Sequence, residues 1–179
     1  RTAFLDTGFP FLYGAAIATS GRLEMRILVT GGAGFIGTNL VYYLTGKGHY
    51  VVVFDALTYA GNLANLAGVD KKSHTFVRGD VADPQQVMAA FEQHSPEAVM
   101  HLAAESHVDR SIDAPGEFVR TNVLGTQVML DAARKFGVEK FVHVSTDEVY
   151  GTLGKTGYFT EQTPWRPILP IPPVRPLRI

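Results

Sequence analysis

Apolar residues fall into two kinds of segment that alternate along the chain. Short runs that are almost wholly apolar predict buried strands: RILVT (26–30), YVVVFD (50–55), TFVR (75–78), AVMHLA (98–103) and FVHVS (141–145). Segments in which apolar residues recur at a spacing of three or four predict helices at 35–46, 84–94 and 117–136. Apolar strands that alternate with helices are typical of a parallel sheet covered on both faces. The sequence therefore predicts an α/β fold with a doubly wound parallel sheet.

The two ends of the chain lack this pattern. Residues 1–24 precede the first methionine, Met25, and show no period, while 167–179 are rich in proline, which withholds the backbone donors that helices and strands need. We therefore expect 25–166 to form the folded domain. We interpret 1–24 as a leader of upstream or vector origin, with a signal peptide as the alternative because an apolar stretch follows Arg1.

Composition removes several classes of function. Hydrophobic residues make up 46% of the 179 and charged residues 18%, which is enough for a core and too apolar for disorder along the whole chain. The net charge of −1 argues against nonspecific nucleic-acid binding, and no apolar run is long enough to cross a membrane. With no cysteine and six scattered histidines, the sequence predicts neither a disulfide nor a metal site. We expect a cytoplasmic protein without nucleic-acid or membrane partners.

A glycine-rich loop joins the first predicted strand to the first predicted helix. In GGAGFIG (31–37), Gly32, Gly34 and Gly37 fit the G-x-G-x-x-G fingerprint, and Gly31, Gly34 and Gly37 fit G-x-x-G-x-x-G. Glycines there allow a tight turn and let the backbone approach a pyrophosphate at a helix N-terminus, whose free N–H groups favour an anion. The strand–loop–helix context indicates a dinucleotide site in a Rossmann-type domain.

An acidic residue follows at the position that such a site uses to select its cofactor. Asp55 ends the second predicted strand, roughly twenty residues beyond the glycines, where an acid accepts hydrogen bonds from the adenosine ribose. Because an acid there repels a 2′-phosphate, the sequence favours NAD over NADP. The alternative is a glycine-rich turn followed by an aspartate that only caps the strand end.

Four segments together resemble a known family: LVTGGAGFIG (28–37), DALTYAGN (55–62), HLAAESHVDRSI (101–112) and STDEVYG (145–151). Over about 25–166 the chain resembles the extended short-chain dehydrogenase/reductases, in particular the NAD-dependent epimerases and dehydratases of nucleotide sugars, and most closely the dehydratases that convert dTDP-glucose. The resemblance implies bound NAD, a nucleotide-sugar substrate such as dTDP-glucose, and a homodimer. Dehydratases or epimerases of UDP- or GDP-hexoses, and a non-catalytic NAD-binding fragment, are the alternatives.

The resemblance also implies which residues would meet the cofactor and the sugar. The pyrophosphate would lie against Gly31, Gly34, Phe35, Ile36 and Gly37. The adenosine would contact Asp55, Leu57 and Thr58 through its ribose and Asp80 and Val81 through its base. The cofactor cleft would be lined by Leu102, Ala103, Ala104 and Thr121, and the substrate would contact Ser106 and Thr146. Ala56 departs from the lysine that the family usually has, which removes one contact on the cofactor side.

Two adjacent carboxylates are the candidate catalytic groups. In the dehydratases that the chain resembles, C4 of the sugar is oxidised, water leaves across C5–C6, and C6 is reduced. By this resemblance Asp147 would protonate the departing C6 hydroxyl and Glu148 would take the C5 proton, beside Thr146. Elimination needs an acid and a base together, which an acid pair supplies. The alternative is structural, because Ser145-x-x-Glu148 also has the spacing of a helix capping box.

A second catalytic element of the family is missing from the sequence. The family follows STDEVYG with Tyr-x-x-x-Lys, whereas here Tyr150 is followed by Gly154 and Tyr158 by Gln162 at that spacing. With one base inserted in the codon of Pro167, a permitted reverse translation of 167–179 reads Pro-Asn-Ser-Pro-Tyr-Ser-Ala-Ser-Lys-Ala-Ala-Ser-Asp. We therefore expect 167–179 to be read out of frame, the substrate domain to be missing, and this chain to lack turnover.

Overall fold

Five parallel strands form the centre of the molecule. The computed structural model describes residues 24–107, 113–153 and 156–166. The strands are β1 (Arg26–Thr30), β2 (Tyr50–Asp55), β3 (His74–Arg78), β4 (Ala98–His101) and β5 (Lys140–His143). Neighbouring strands are parallel, in the order β3-β2-β1-β4-β5, so the chain winds outward from β1 first to one side and then to the other. This order confirms the predicted doubly wound sheet.

Helices cover both faces of this sheet. They are α1 (Phe35–Gly46), α2 (Pro84–His94), α3 (Pro115–Phe118), a π-helical segment (Val119–Gly125) and α4 (Thr126–Lys135). Two 3₁₀ turns are at Leu63–Leu66 and Asp147–Tyr150. No helix in the described part of the chain is both long and apolar enough to span a bilayer. The predicted leader, apart from Glu24, and the predicted out-of-frame segment 167–179 lie outside the described residues.

The core is divided by the alternation of side chains along the strands. One face is packed by α1 and consists mainly of Ile27, Val29, Val41, Leu44, Val51 and Val53. The opposite face is packed by α2 and α4 and consists mainly of Leu28, Val52, Phe54, Phe91, Val99 and Met129. Each such side chain contributes about 1.5–3 kcal/mol when it leaves water. Because β1 and β2 are buried on both faces, they read as continuous apolar runs, which is why the sequence predicts them correctly.

Four elements differ from their sequence predictions. Strand β3 starts one residue earlier than predicted, at His74, and β5 extends over Lys140–His143 where 141–145 was predicted. The run 98–103 ends as a strand at His101, because the next two backbone N–H groups, those of Leu102 and Ala103, donate to the hydroxyl of Thr30. The helix predicted at 117–136 starts two residues earlier, with Pro115 in its first turn, and its middle is π-helical over Val119–Gly125. Apolar spacing marks the length of such a helix and carries no signal for a local change in its winding.

Candidate cofactor and substrate site

A cleft opens at the carboxyl edge of the sheet, beside the point where the strand order reverses. Ligands of open α/β sheets bind at such a switch point. The wall contains seven of the predicted cofactor residues: Gly31, Asp55, Thr58, Asp80, Val81, Ala103 and Thr121. It also contains Phe54, Ala56, Gly79, Glu117 and Arg120, which were not predicted. The structure therefore brings together residues from five separate segments of the chain.

The glycine loop borders this cleft through Gly31, whereas the predicted residues Gly34, Phe35, Ile36 and Gly37 are not part of the wall. Gly31 has φ +67°, a left-handed conformation that side chains rarely adopt, and its N–H donates to the carbonyl of Phe54 at 2.9 Å. A Cβ on Gly37 would overlap the carbonyl oxygen of Gly31, so Gly37 lets helix α1 pack directly on the loop. No side chain caps the start of α1 at Gly34. The first N–H groups of the helix are therefore left for an anion.

Two large apolar side chains stand at this helix start. Phe35 is 84% exposed and Ile36 is 66% exposed, although each is the type of residue that is usually buried. They immediately follow the uncapped N-terminus at Gly34. An exposed apolar pair beside a candidate anion site is consistent with a surface that a ligand covers.

Asp55 is buried and holds the loop in place. Its carboxylate accepts a hydrogen bond from Ala33 N at 3.0 Å and another from Leu57 N at 2.8 Å, and Asp55 is only 8% exposed. The alternative considered from the sequence, an aspartate with a local structural role, is thus part of what the structure shows. Each carboxylate oxygen keeps a second lone pair. The same group can therefore brace the loop and still accept from a ribose at the cleft.

Space beside Asp55 is kept open by a glycine. A Cβ on Gly61 would lie 2.7 Å from Asp55 Oδ1 and 3.0 Å from the Cα of Leu57. Leu57 has φ +53°, which is uncommon for a leucine. Its N–H bond to Asp55 accompanies this turn, so the backbone around 57–61 is shaped by the carboxylate. Thr58 lies in this segment and lines the cleft.

The far end of the cleft contains an ion pair that sequence reasoning missed. Arg120 donates to Asp80 Oδ2 at 2.6 Å, and Asp80 Oδ1 accepts from Ala82 N at 2.8 Å. The hydrogen bond to Asp80 and its negative charge raise the pKa of Arg120. Side-chain exposures of 46% and 31% leave both groups within reach of a ligand. Nothing in the sequence marks Arg120, because a charged residue within a predicted amphipathic helix is ordinary.

The segment after β4 contains half-buried and exposed residues. Leu102 packs toward the core on the α1 side, Ala103 lines the cleft, and Ala104 and Ser106 are exposed. The predicted cofactor residues Leu102 and Ala104 are thus adjacent to the cleft in sequence but are not part of its wall. Asn122 clamps the segment, accepting from Glu105 N at 2.8 Å and donating to Glu105 O at 2.9 Å.

A buried histidine lies behind this segment. His101 is 0% exposed, and burial, aided by the nearby His143, lowers its pKa to about 3. The two rings are in contact, with their centroids 5.2 Å apart and their planes tilted by 32°, and burial also lowers the pKa of His143. Both imidazoles are therefore neutral at neutral pH. Within the described ranges, no group of three or more histidines and carboxylates is arranged to hold a metal ion.

The candidate catalytic residues lie beyond β5. Thr146, Asp147 and Glu148 are exposed, and they form the start of the 3₁₀ turn Asp147–Tyr150. The hydroxyl of Thr146 accepts from Glu148 N at 3.2 Å, so Thr146 is the cap of this turn and the capping box headed by Ser145 is not formed. Because β5 pairs with β4, this turn follows the strand next to the one that leads to Ser106. It does not line the cleft described above.

A returning segment supports this turn from behind. Arg166 N donates to Val149 O at 2.9 Å, and Val149 is 5% exposed. Tyr150 stacks on Phe159 with ring centroids 5.1 Å apart. Tyr158, by contrast, is 92% exposed. The turn's backbone is therefore anchored, while its carboxylates remain open to solvent.

Known proteins share both the sequence and the fold. The family model described as GDP-mannose 4,6 dehydratase matches residues 28–170. A dTDP-glucose 4,6-dehydratase of Xanthomonas campestris pv. campestris strain B100 is 52% identical over 153 residues, which are 80% of this chain and 44% of the relative. One of Streptomyces antibioticus is 52% identical over 153 residues, which are 82% of this chain and 44% of the relative.

Solved structures give the same result. A dTDP-glucose 4,6-dehydratase of Streptomyces venezuelae, with NAD bound, is 48% identical with a TM-score of 0.76, over 82% of this chain and 47% of the other. A UDP-glucose 4-epimerase of Thermotoga maritima, with UDP-glucose, is 37% identical with a TM-score of 0.75, over 82% and 46%. The chain spans less than half the length of these relatives. On the extent and identity of these matches, the chain belongs to the GDP-mannose 4,6 dehydratase family, and within it the chain is similar to the dTDP-glucose 4,6-dehydratases.

Proposed function

We propose that the chain is the NAD-binding part of a nucleotide-sugar 4,6-dehydratase that acts on dTDP-glucose. One observation carries the cofactor assignment: a buried carboxylate, Asp55, braces a glycine loop that leads into an uncapped helix N-terminus. This is the arrangement that receives a dinucleotide pyrophosphate and a ribose with free hydroxyls. Relatives whose structures contain NAD support it.

The residues of the site fit the parts of NAD. The pyrophosphate would lie over Gly31, Gly34 and the start of α1, beside Phe35 and Ile36. The adenosine would lie between Asp55 and Asp80, with Val81 and Thr58 at its sides, and the nicotinamide half would extend past Ala103 and Thr121. When bound, NAD supplies the hydride acceptor for the sugar C4 and, later, the hydride donor for C6.

The carboxylates beyond β5 would carry out the elimination. Glu148 would take the proton from C5 while Asp147 gives a proton to the C6 hydroxyl, so that the C6–O bond breaks and water leaves as the C5–C6 double bond forms. Thr146, which caps the turn, would hold the sugar beside them, with Ser106 from the neighbouring segment. Solvent exposure of both acids suits groups that meet a substrate rather than the core.

Oxidation at C4 needs a further base, which is not found where the resemblance places it, shortly after 145–151. Hydride leaves C4 only as its hydroxyl loses a proton, and no Tyr-x-x-x-Lys follows Asp147 and Glu148 in the sequence to take it. Tyr43 and Lys47 have this spacing, but they lie at the C-terminal end of α1. We therefore propose that this chain binds NAD without turning over the sugar. A separate reading of 167–179 in the shifted frame would supply the pair.

Binding measurements test the cofactor assignment directly. Titration of the purified chain should give tighter binding of NAD than of NADP, because Asp55 accepts from a 2′-hydroxyl and repels a phosphate. Asp55→Asn should weaken NAD binding about tenfold or more, since it also loses a loop contact. Asp70→Asn is the matched control, because Asp70 likewise accepts from a backbone N–H but lies before β3, at the opposite edge. Tighter binding of NADP by the native chain would contradict the assignment.

A second candidate is a dehydratase or epimerase of another nucleotide sugar. It is favoured by the UDP-glucose 4-epimerases among the structural neighbours and by the description of the family model. A gene restored to the proposed frame should convert dTDP-glucose faster than UDP-glucose or GDP-mannose. The reverse preference would replace dTDP-glucose by the better substrate. NAD binding by the chain without turnover in any restored form would favour a non-catalytic fragment.

We further propose a cytoplasmic homodimer. On the helical segment, Val119, Val123 and Leu124 are 48%, 39% and 49% exposed. Apolar side chains that are exposed together on one helix are typical of a surface that packs against a partner, here a second copy of the chain. Light scattering coupled to size exclusion should give twice the mass of the chain. Val123→Glu should then return it to the monomer, whereas a monomeric native chain would contradict the proposal.

A further inference from the structure

A chain of buried polar groups joins β1, β4 and the start of α4 behind the cleft. Its members are Thr30, His101 and Thr126, which are 0%, 0% and 2% exposed. His101 Nδ1 is 2.7 Å from the hydroxyl of Thr30, and His101 Nε2 is 3.1 Å from the hydroxyl of Thr126. Buried polar groups of this kind are costly unless every donor and acceptor is used.

Counting donors and acceptors fixes every proton in this network. The hydroxyl of Thr126 donates to the carbonyl of Asn122 at 2.8 Å, and a carbonyl can only accept. Thr126 has no second proton, so His101 Nε2 must donate to it. A neutral imidazole has one N–H. His101 Nδ1 must therefore accept, and the proton that it receives is that of the Thr30 hydroxyl.

The direction of these hydrogen bonds decides which groups the hydroxyl oxygen of Thr30 can accept from. Because its proton points to His101, the oxygen of Thr30 presents both lone pairs to other donors. Leu102 N and Ala103 N each donate to it at 3.0 Å. The tautomer of His101 thus determines how the Thr30 hydroxyl holds the backbone at Leu102 and Ala103, directly after β4.

That place borders the glycine loop. A Cβ on Gly31 would lie 3.0 Å from Ala103 N, so the two backbones are nearly in contact. Further on, the same segment is held by Asn122. Its side chain makes two hydrogen bonds to the backbone of Glu105, and its carbonyl accepts the hydrogen bond from the Thr126 hydroxyl. The segment 102–105 is therefore fixed at one end by Thr30 and at the other by Asn122. Both connect to the imidazole of His101, Thr30 directly and Asn122 through Thr126.

We propose that His101 is a positioning residue for the NAD site: as the Nε2–H tautomer it orients the hydroxyl of Thr30, which in turn sets Leu102 and Ala103 against the glycine loop. The proposal rests on the proposed binding of NAD. Neither His101 nor Thr30 lines the cleft, so both act through the backbone that they hold.

The tautomer can be measured without any ligand. Long-range ¹H–¹⁵N correlation spectra of the full chain should show His101 with Nε2 protonated and Nδ1 unprotonated, with no change between pH 7 and pH 5. An Nδ1–H tautomer, or an imidazolium within that range, would overturn the proposal even if NAD binds as expected.

Substitutions test the effect on the cofactor. Thr30→Val removes the hydroxyl at nearly constant shape and should weaken NAD binding roughly tenfold, while Thr30→Ser should restore most of the affinity. Thr45→Val is the matched control, because it also removes a threonine hydroxyl bond, to Val41 O at 2.9 Å, on α1 away from the cleft. It should leave NAD binding unchanged.

The outcomes separate the two proposals. Equal NAD affinity in Thr30→Val, Thr30→Ser and the native chain would overturn the positioning role and leave the cofactor assignment intact. Absence of NAD binding in the native chain would overturn the cofactor assignment and, with it, the role for NAD. If Thr30→Val does not fold, the ¹⁵N spectra of the native chain and the NAD affinity of Thr30→Ser still test the positioning role. The serine variant keeps the hydroxyl, so it must bind NAD nearly as well as the native chain does.

Discussion

The carboxyl edge of the sheet has two halves that are built differently. Beyond β1 and β2, the glycine loop and Asp55 are held by buried backbone bonds, and Asp55 is 8% exposed. Beyond β5, Asp147 and Glu148 are exposed, on a capped 3₁₀ turn whose backbone is held by Arg166. The first half is thus braced by hydrogen bonds to a buried carboxylate. The second presents two exposed carboxylates on a turn.

The difference matches what the proposed function requires of each half. A pyrophosphate site needs a precisely placed backbone, and tightly packed glycines provide this. Other residues cannot replace these glycines without a clash. Acid and base groups need to meet a substrate and can remain solvated until it arrives. Mutations should therefore affect folding and NAD binding at the first half, and turnover alone at the second.

The largest effect should follow from filling the loop. In Gly37→Ala the new Cβ would overlap the carbonyl of Gly31, so the chain should lose about 1–3 kcal/mol of stability and its measurable affinity for NAD. Urea unfolding and calorimetric titration measure the two losses. Gly46→Ala is the control, because nothing lies within 4 Å of its Cβ and alanine is the better helix former. Native-like NAD affinity in Gly37→Ala would show that the loop is not the pyrophosphate site.

The acid pair should behave in the opposite way. In this chain Asp147→Asn and Glu148→Gln should each change the free energy of unfolding by less than about 0.5 kcal/mol, because both side chains are exposed. In a gene restored by one base near Pro167, each should slow elimination about a hundredfold or more, with a smaller effect on the initial hydride transfer. Stopped-flow absorbance of the reduced cofactor separates the two steps.

Two results would contradict that prediction. An early stop codon in the restored frame would reject the proposed shift at 167–179. Turnover of dTDP-glucose by the chain as it stands would show that it needs no Tyr-x-x-x-Lys pair.

Much of the first half could be predicted from the sequence. Strands buried on both faces leave continuous apolar runs, and the glycines and Asp55 have a spacing set by the dinucleotide itself. The end of β4 could not be predicted, because AVMHLA (98–103) is apolar almost throughout and its end depends on the hydroxyl of Thr30, which is far away in sequence. Arg120 was missed for the same reason, since its partner Asp80 is brought to it only by the fold.

Two histidines, His101 at the end of β4 and His143 at the end of β5, make the fold sensitive to acid. Burial lowers the pKa of His101 to about 3 and also lowers that of His143, so in the folded state both stay neutral at pH values where an unfolded chain takes up protons. Stability should therefore be full above about pH 6.5 and fall as the pH drops below it, with His101 contributing up to about 1.4 kcal/mol per pH unit.

Urea unfolding at pH 7, 6 and 5 measures this slope. His101→Gln should be less stable at pH 7, because it breaks the buried network, and it should lose stability less steeply toward pH 5. A variant with the slope of the native chain would show that the acid sensitivity arises elsewhere. The pH dependence would then say nothing about the histidine behind the cleft.

The smallest effect should come from removing the residues before the sheet. We propose that 1–24 are a leader without a structural role, since Met25 already joins the fold: its N–H donates to His49 Nδ1 at 3.3 Å and its carbonyl accepts from Tyr50 N at 3.0 Å. A chain that begins at Met25 should therefore match the full chain in NAD affinity and melt within a few degrees of it. Each 1 kcal/mol would shift the midpoint by roughly 2–8 °C in domains of this size range. A larger drop would make the leader part of the folded domain, and secretion of a cleaved form would identify it as a signal peptide.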